Sequence, residues 1–394
     1  MLRIIINAVI GKKRGGGGFQ IACNFINSAK NDHNGDVEWY YFVSKDIDDA
    51  IGGKFEEIKD KRYFVFPTQP DKSSHGKVQK KLNLLIEEIK PSVMYSILAP
   101  SYMRFKCVEV MRCTNPWVNI KHLPKYVLEE VTWKTRLHLA VMSFVSRCQM
   151  RKVHYFVTQS QAAANGINQI THTGLDNIEV VPNVLPAAYN GYEVIKVRED
   201  TFNIVYVTAP HPHKNVDIIP KVAYLLKTKY GLEKIKFIIT IPEKNKEFHD
   251  RFNSSLHEYN VANMVENVGY QTQNQLKELY SRCDLFFFPS LLETFSVSLV
   301  EAMYFKMPIV ATDIDFNREV TEDAALYFEP KNAEKAAEQI AKLIKDSALY
   351  NKMIKVGQER IKLYNDYDKH FNDTVAFLKE VASKTSRNAG RVNI

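Results

Sequence analysis

The chain has no C-x-x-C pair. Its five cysteines (Cys23, Cys107, Cys113, Cys148 and Cys283) are scattered and odd in number. That argues against a disulfide frame or a cysteine zinc site and fits reduced thiols. No apolar run approaches the roughly 20 residues of a membrane span. The start, MLRIIINAVIGKK, runs straight into a strand pattern and lacks a signal-peptide layout. The glycines at 15 to 18 do not form G-x-G-x-x-G, because Gln20 and Ile21 stand where its last glycine would fall. No G-K-[ST] occurs, so a P-loop is excluded. There is no short repeat, and no low-complexity tract beyond those glycines.

What is present is room and alternation. A length of 394 residues suffices for two domains at roughly 100–200 residues each. Hydrophobic residues make up 45% and charged ones 25%, as in an ordinary soluble globular protein. The net charge of +8 favours anionic partners such as nucleotides or lipid phosphates, and makes nucleic acid a weaker expectation. Strand-like runs alternate with helical patterns. The runs are RIIINAV, VEWYYFVS, YFVF, VMYSI, VEVMR, HYFVTQ and IEVVP, then FNIVYVTA, KFIITIP, NVG, DLFFFP and PIVAT. Helical periods include 77–90, 127–150, 215–229, 273–281, 333–345 and 368–383. This pattern predicts an α/β fold of two doubly wound, Rossmann-like domains facing a central cleft, the default ligand site. The expected division is 1–185 for the first domain and 200–365 for the second. Residues 366–394 supply a helix that could cross back to the first domain. The tail after 384 is expected to be poorly ordered.

The richest stretch is ETFSVSLVE, 293–301. It lies between the strand DLFFFP and the strand PIVAT, so it reads as a strand-to-helix loop followed by a helix. Ligands of parallel sheets bind beyond the carboxyl ends of the strands. Glu293 falls in the loop and Glu301 about one turn into the helix. Between them the first helical amides, near Phe295, Ser296, Val297 and Ser298, lack internal partners and can hold an anion. A phosphate cradle between two hydroxyl-binding carboxylates suits a nucleotide sugar. Lys214, in the loop APHPHKN after FNIVYVTA, could act as a point charge on a leaving diphosphate. A solvated loop lysine is the alternative.

Other features carry bland and sharp readings side by side. The glycine loop after the first strand could bring backbone to a ligand, or simply be flexible. Lys12, Lys13 and Arg14 could meet phosphates there. Residues 131–154 contain five Lys/Arg and no acid, with Trp133, Leu137, Val141, Phe144 and Cys148 on one helical face. Such a helix can lie on an anionic membrane. The simpler expectation turns that face into the core. The Asp-x-Asp of KDIDD is expected to begin a loop, and that of TDIDF is too short a signal for a metal. Asn115, Lys121 and His122 could be polar groups near a reacting sugar, or parts of an ordinary loop.

The second half resembles the retaining glycosyltransferases of family 4, which have the GT-B fold. The resemblance runs from about 202 to 345 and is carried by Glu293, seven residues, Glu301, then Ala302, Met303 and Pro308, with HKN resembling the phosphate loop. It implies that Glu301 holds ribose hydroxyls and Glu293 the donor sugar. It also implies that Lys214 and amides near 295–298 hold the diphosphate. Gly269 and Tyr270 would lie near the base, and Gly16 and Gly17 would line the cleft. No metal and no cofactor are implied. The family's glycines in the turn are Thr294 and Ser296 here. Its arginine five residues before the lysine is Ala209, leaving His213 or Arg14 to replace that charge. Its acceptor-side His-Asp is not evident, so Asn115, His122 and Arg14 stand as acceptor-side candidates. The function implied is metal-independent hexosyl transfer from a UDP- or GDP-linked sugar to a glycan or lipid-linked acceptor. The expected setting is surface-polysaccharide assembly, either free in the cytoplasm or peripheral at the inner membrane face. A nucleotide-sugar epimerase and a non-catalytic polyanion-binding protein remain as rivals.

Overall fold

The structure is a computed structural model and describes residues 1–9, 17–67, 75–98, 100, 102–189 and 191–391. It divides into two compact units. The first comprises Met1–Lys121, Leu137–Val181 and Asp368–Ile394; the second comprises His122–Arg136 and Pro182–Tyr367.

The first unit holds strands β1 (Leu2–Ala8), β2 (Val37–Ser44), β3 (Tyr63–Phe66), β4 (Val93–Ser96), β5 (Glu109–Arg112), β6 (Tyr155–Thr158) and β7 (Ile178–Val180). They form a parallel sheet in the order β3-β2-β1-β4-β5-β6-β7. The run Ile4-Ile5-Ile6 shows why β1 is central. All three isoleucines are buried, and Ile5 pairs Tyr40 on one side and Met94 on the other. Side chains alternate across a strand, so Ile4 and Ile6 join one layer with Phe25 and Trp39, while Ile5 joins the other with Val78, Leu82 and Ile86. The helix Tyr367–Arg391 adds Phe371, Val375, Leu378 and Val381 to the first layer, where the Phe371 ring lies 5.1 Å from Phe25 and 6.1 Å from Trp39.

The second unit holds β8 (Phe202–Tyr206), β9 (Ile235–Ile239), β10 (Val265–Asn267), β11 (Leu285–Phe288), β12 (Ile309–Thr312) and β13 (Ala325–Phe328). These form a parallel sheet in the order β10-β9-β8-β11-β12-β13. The aromatic strand β11 is buried along its length, and Phe286 pairs both Val205 and Ile309. In each sheet the strand order reverses once, between β1 and β4 and between β8 and β11. Such reversals open a crevice at the carboxyl ends.

Three sequence expectations need correction. Strand β13 was not anticipated; its ALYF is short, half-buried and flanked by acids, so it shows little apolar period. KDIDD does not begin a loop but opens the helix Lys45–Ile51, held by Lys45 pairing with Asp48 and Asp49. The C-terminal helix runs from Tyr367 to Arg391. The helix Trp133–Met150 turns its apolar face outward, with Trp133, Leu137, Val141 and Phe144 exposed and Ser143, Ser146, Gln149 and Met150 buried. Among the described residues no helix is long and apolar enough to cross a membrane, and the five cysteines are free thiols.

Candidate functional site

The loops after β8 and β11 are neighbours because their strands are, and three hydrogen bonds fasten them. The Leu291 amide donates to His213 C=O (2.8 Å), the Asn215 side-chain amide to Pro289 C=O (3.2 Å), and the Ser290 hydroxyl to His213 C=O (3.4 Å). The β8 loop closes as a short 3-10 turn, Pro212–Lys214, and Asn215 ends it with a φ of +52°. Asparagine tolerates this left-handed backbone better than most residues. The Tyr206 hydroxyl, at the end of β8, holds Lys214 C=O at 2.9 Å. Lys214 is thereby aimed across the reversal point. Its Nζ donates to Glu293 Oε1 at 2.5 Å and stands 5.9 Å from the centre of the Phe288 ring. Ser290 donates its hydroxyl to the same carboxylate oxygen at 2.7 Å.

The helix Val297–Tyr304 begins next, with Ser296 as its N-cap in extended backbone. The Ser296 side chain makes no cap hydrogen bond; its hydroxyl meets that of Ser298 at 2.8 Å. The amides of Val297 and Ser298 precede the first intrahelical bond, Leu299 N–H to Ser296 C=O, so helix geometry gives them no internal acceptor. Phe295 anchors the turn from below, its ring packed at 5.7 Å edge-on to Tyr364. Glu301, one turn on, is 7% exposed and accepts a 2.9 Å hydrogen bond from the Tyr280 hydroxyl. Burial pushes its carboxyl up to about 7, against the opposing pull of the Tyr280 and Tyr189 hydroxyls. The loop after β10 carries Gly269, whose φ of +69° suits glycine, and Tyr270, which is well exposed. Asn267 fixes that loop through Gly269 N–H and both backbone polar groups of Ile241.

Lys214, Glu293, Ser296, Val297, Ser298 and Glu301 are thus brought to one end of one sheet, on the loops that flank its reversal. Gly269 and Tyr270 stand at the same end, beyond β10. Chemically, the arrangement offers an ammonium and helix-start amides for an anion, with carboxylates on either side for hydroxyls. His213 does not replace the missing arginine charge: burial, then Lys214 and His211, push its imidazole down to about 3, so it is neutral at pH 7. Asp313 of TDIDF is taken by a two-pronged bond from Arg318. Among the described residues no cluster of three His, Cys, Asp or Glu could hold a metal ion.

The remaining candidates are carried by other segments of the chain. Gly17 opens the helix Gly17–Lys30 after β1; Gly16 and Arg14 lie outside the described residues. Asn115 belongs to the first unit and caps the helix Pro116–Asn119 by accepting from Trp117 N–H at 3.1 Å. His122 is exposed and groups with the second unit. Sequence reasoning missed Ser290, Asn215 and Tyr280. Ser290 had a signal, three residues before Glu293 in the same loop. Tyr280 had none, since it reaches Glu301 from another helix, Gln273–Ser281.

Residues 193–360 match the family model described as glycosyl transferases group 1. The O-antigen chain mannosyltransferase RfbU of Salmonella typhimurium is 23% identical over 198 residues, 48% of this chain. The matched stretch spans 50% of that relative. Sucrose-phosphate synthase from Thermosynechococcus elongatus superposes with a TM-score of 0.71 at 13% identity, over 98% of this chain and 100% of that one. Anabaena HepE in complex with UDP and glucose gives 0.65 at 15%, over 98% and 100%. At such identities the structures speak for the fold, and that fold is GT-B. The family match lies within the second unit, and over those residues the chain is similar to the glycosyl transferases of group 1.

Proposed function

We propose that this chain moves a hexose, with retention of configuration, from a UDP- or GDP-linked sugar to a hydroxyl of a glycan or lipid-linked saccharide. The setting we infer is cytoplasmic assembly of surface polysaccharide, with the acceptor presented at an anionic membrane surface. The observation that carries the reading is the Lys214–Glu293 pair, 2.5 Å apart beside the start of the Val297–Tyr304 helix. RfbU is named as an O-antigen mannosyltransferase and HepE as a UDP and glucose complex, which supports a nucleotide sugar and a glycan product.

The steps follow from charge. A diphosphate entering beside the helix start would draw Lys214 Nζ from Glu293 and accept from the Val297 and Ser298 amides. Glu293, released, would accept a hydroxyl of the donor sugar, still steadied by Ser290. Glu301 would hold the ribose hydroxyls, and the Gly269-Tyr270 loop the base. As the anomeric carbon–oxygen bond breaks, its electron pair goes to the diphosphate, where Lys214 and the amides stabilise it. The acceptor hydroxyl forms the new bond and passes its proton to the departing phosphate oxygen. Positioning, more than a strong nucleophile, supplies the rate. Lys214 and the amides carry that charge without a metal. Gly16, Gly17, Asn115, His122 and Arg14 are the acceptor-side residues to vary.

The test is a thermal-shift screen with UDP, GDP, ADP and their sugars, repeated on Glu301→Ala and Lys214→Ala. A ligand at a hundred times its Kd adds about 2.7 kcal/mol of stability. One nucleotide should raise the midpoint in the wild type and in neither variant. If no nucleotide raises it, the donor site is wrong and a polyanion-binding protein becomes the better reading.

A further inference from the structure

The helix Trp133–Met150 is built inside out. Trp133 (69% exposed), Leu137 (61%), Val141, Met142, Phe144 (66%) and Val145 all face solvent. No other element of the described residues exposes so many large apolar side chains. Its inward face is polar and is fastened by directed bonds. Ser143 donates to Trp117 C=O, Ser146 meets the Tyr102 hydroxyl, Gln149 donates to Met103 C=O, and Arg147 donates to the carbonyls of Val118 and Ile120. These bonds set the helix's rotation, so the outward apolar stripe is a consequence of structure. Exposed apolar surface of this extent on one helix marks an interaction site.

The charges choose the occupant. No acid occurs in 131–154, and Lys134 and Lys152 stand exposed at the two ends of the stripe. A second copy of this chain, laid antiparallel on the stripe, would set Lys134 against Lys152 and repel. A bilayer of anionic lipid meets both features, with acyl chains for the stripe and headgroups for the lysines. At 18 residues the helix is about 27 Å long, a suitable length to lie in the plane of an interface. We infer that this helix is the surface by which the chain rests on an anionic membrane, apolar stripe down. The inference deepens the transferase reading, on which it rests for a lipid-linked acceptor.

The test uses the full chain and vesicles of phosphatidylcholine, with and without phosphatidylglycerol. The wild type should sediment with the anionic vesicles, and less so as salt rises. Trp133 fluorescence should shift to the blue. Leu137→Ser/Phe144→Ser should lower partitioning at least about tenfold while leaving the nucleotide thermal shift unchanged. Lys134→Gln/Lys152→Gln should remove the preference for anionic lipid, and serves if the first pair fails to fold. Wild type remaining in the supernatant, or both double variants partitioning as the wild type does, would overturn the inference. So would a dimer that Leu137→Ser/Phe144→Ser dissociates. A nucleotide response without vesicle binding defeats this inference alone; vesicle binding without a nucleotide response defeats the transferase reading alone.

Discussion

Lys214 and Glu293, 79 residues apart in sequence, meet through a single 2.5 Å contact that bridges the loops of adjacent strands β8 and β11. Both side chains are mostly shielded, at 21% and 11% exposure. Removing one partner leaves the other charge short of solvent. Lys214→Ala should therefore cost about 3 kcal/mol of stability and lower kcat about a hundredfold or more. Lys214→Met/Glu293→Gln, lacking both charges, should recover much of the stability and none of the turnover. Urea titration beside a transfer assay separates the two effects, and a double variant as unstable as Lys214→Ala would refute the pairing argument.

Glu301 supplies a pH signature. Its folded carboxyl titrates at about 7, above the ordinary 4.5. The folded state therefore binds the proton more tightly than the unfolded one. Stability contributed by the neutral acid is complete below 4.5 and is lost as pH rises toward 7. Glu301→Gln should match the wild type near pH 4.5 and exceed it at pH 8 by up to about 3 kcal/mol. Nucleotide affinity should instead rise with pH over this window, because the ionised carboxylate is the better acceptor for ribose hydroxyls. Denaturant midpoints of both proteins across pH 5–8 check the first half; a parallel pair of curves would contradict it.

Two glycines separate crowding from backbone strain. A Cβ at Gly166 would lie 2.1 Å from Asn119 C=O, where the helix Gln161–Thr171 crosses Pro116–Asn119. Gly166→Ala should cost about 3 kcal/mol or more. A Cβ at Gly269 meets nothing within 4 Å, but φ is +69°. Gly269→Ala should cost only about 1 kcal/mol and show its effect in nucleotide affinity. Thermal unfolding of both variants decides; equal losses would reject the distinction.

Arg318 grips Asp313 with two nitrogens. Its guanidinium holds the Asp313 carboxyl below the usual range. The carboxylate is thus committed, and Asp313→Asn should leave transfer within about threefold of wild type, since an exposed pair contributes little. Transfer should also survive EDTA. Loss of activity on chelation, restored by a divalent cation, would overturn the metal-independent reading.

Much of this was legible in the sequence because parallel strands buried on both faces announce themselves as unbroken apolar runs. LFFF and IVAT could hardly be anything else, and the spacing of Glu293 to Glu301 needs only one loop and one helical turn to interpret. Local patterns failed where the deciding partner is distant. The 133–150 helix has the period of a core helix, yet the carbonyls of Met103, Trp117 and Val118 capture its polar side. Period says that a helix has two faces and does not say which one is inside. Tyr280 was invisible for the same reason, and His213 looked like a cation until its burial between loops was known.

The helix Tyr367–Arg391 has a bearing on synthesis. Phe371, Val375 and Leu378 complete the layer that Phe25 and Trp39 begin, so the first unit is complete only once this helix has been made. The ribosome delivers the whole of Pro182–Tyr367 in between. While that stretch emerges, the helix Gly17–Lys30 alone supplies Phe25 and Ile26 to that layer, and the part taken by Phe371 and Leu378 stays open. The unit begun first is thus the unit completed last.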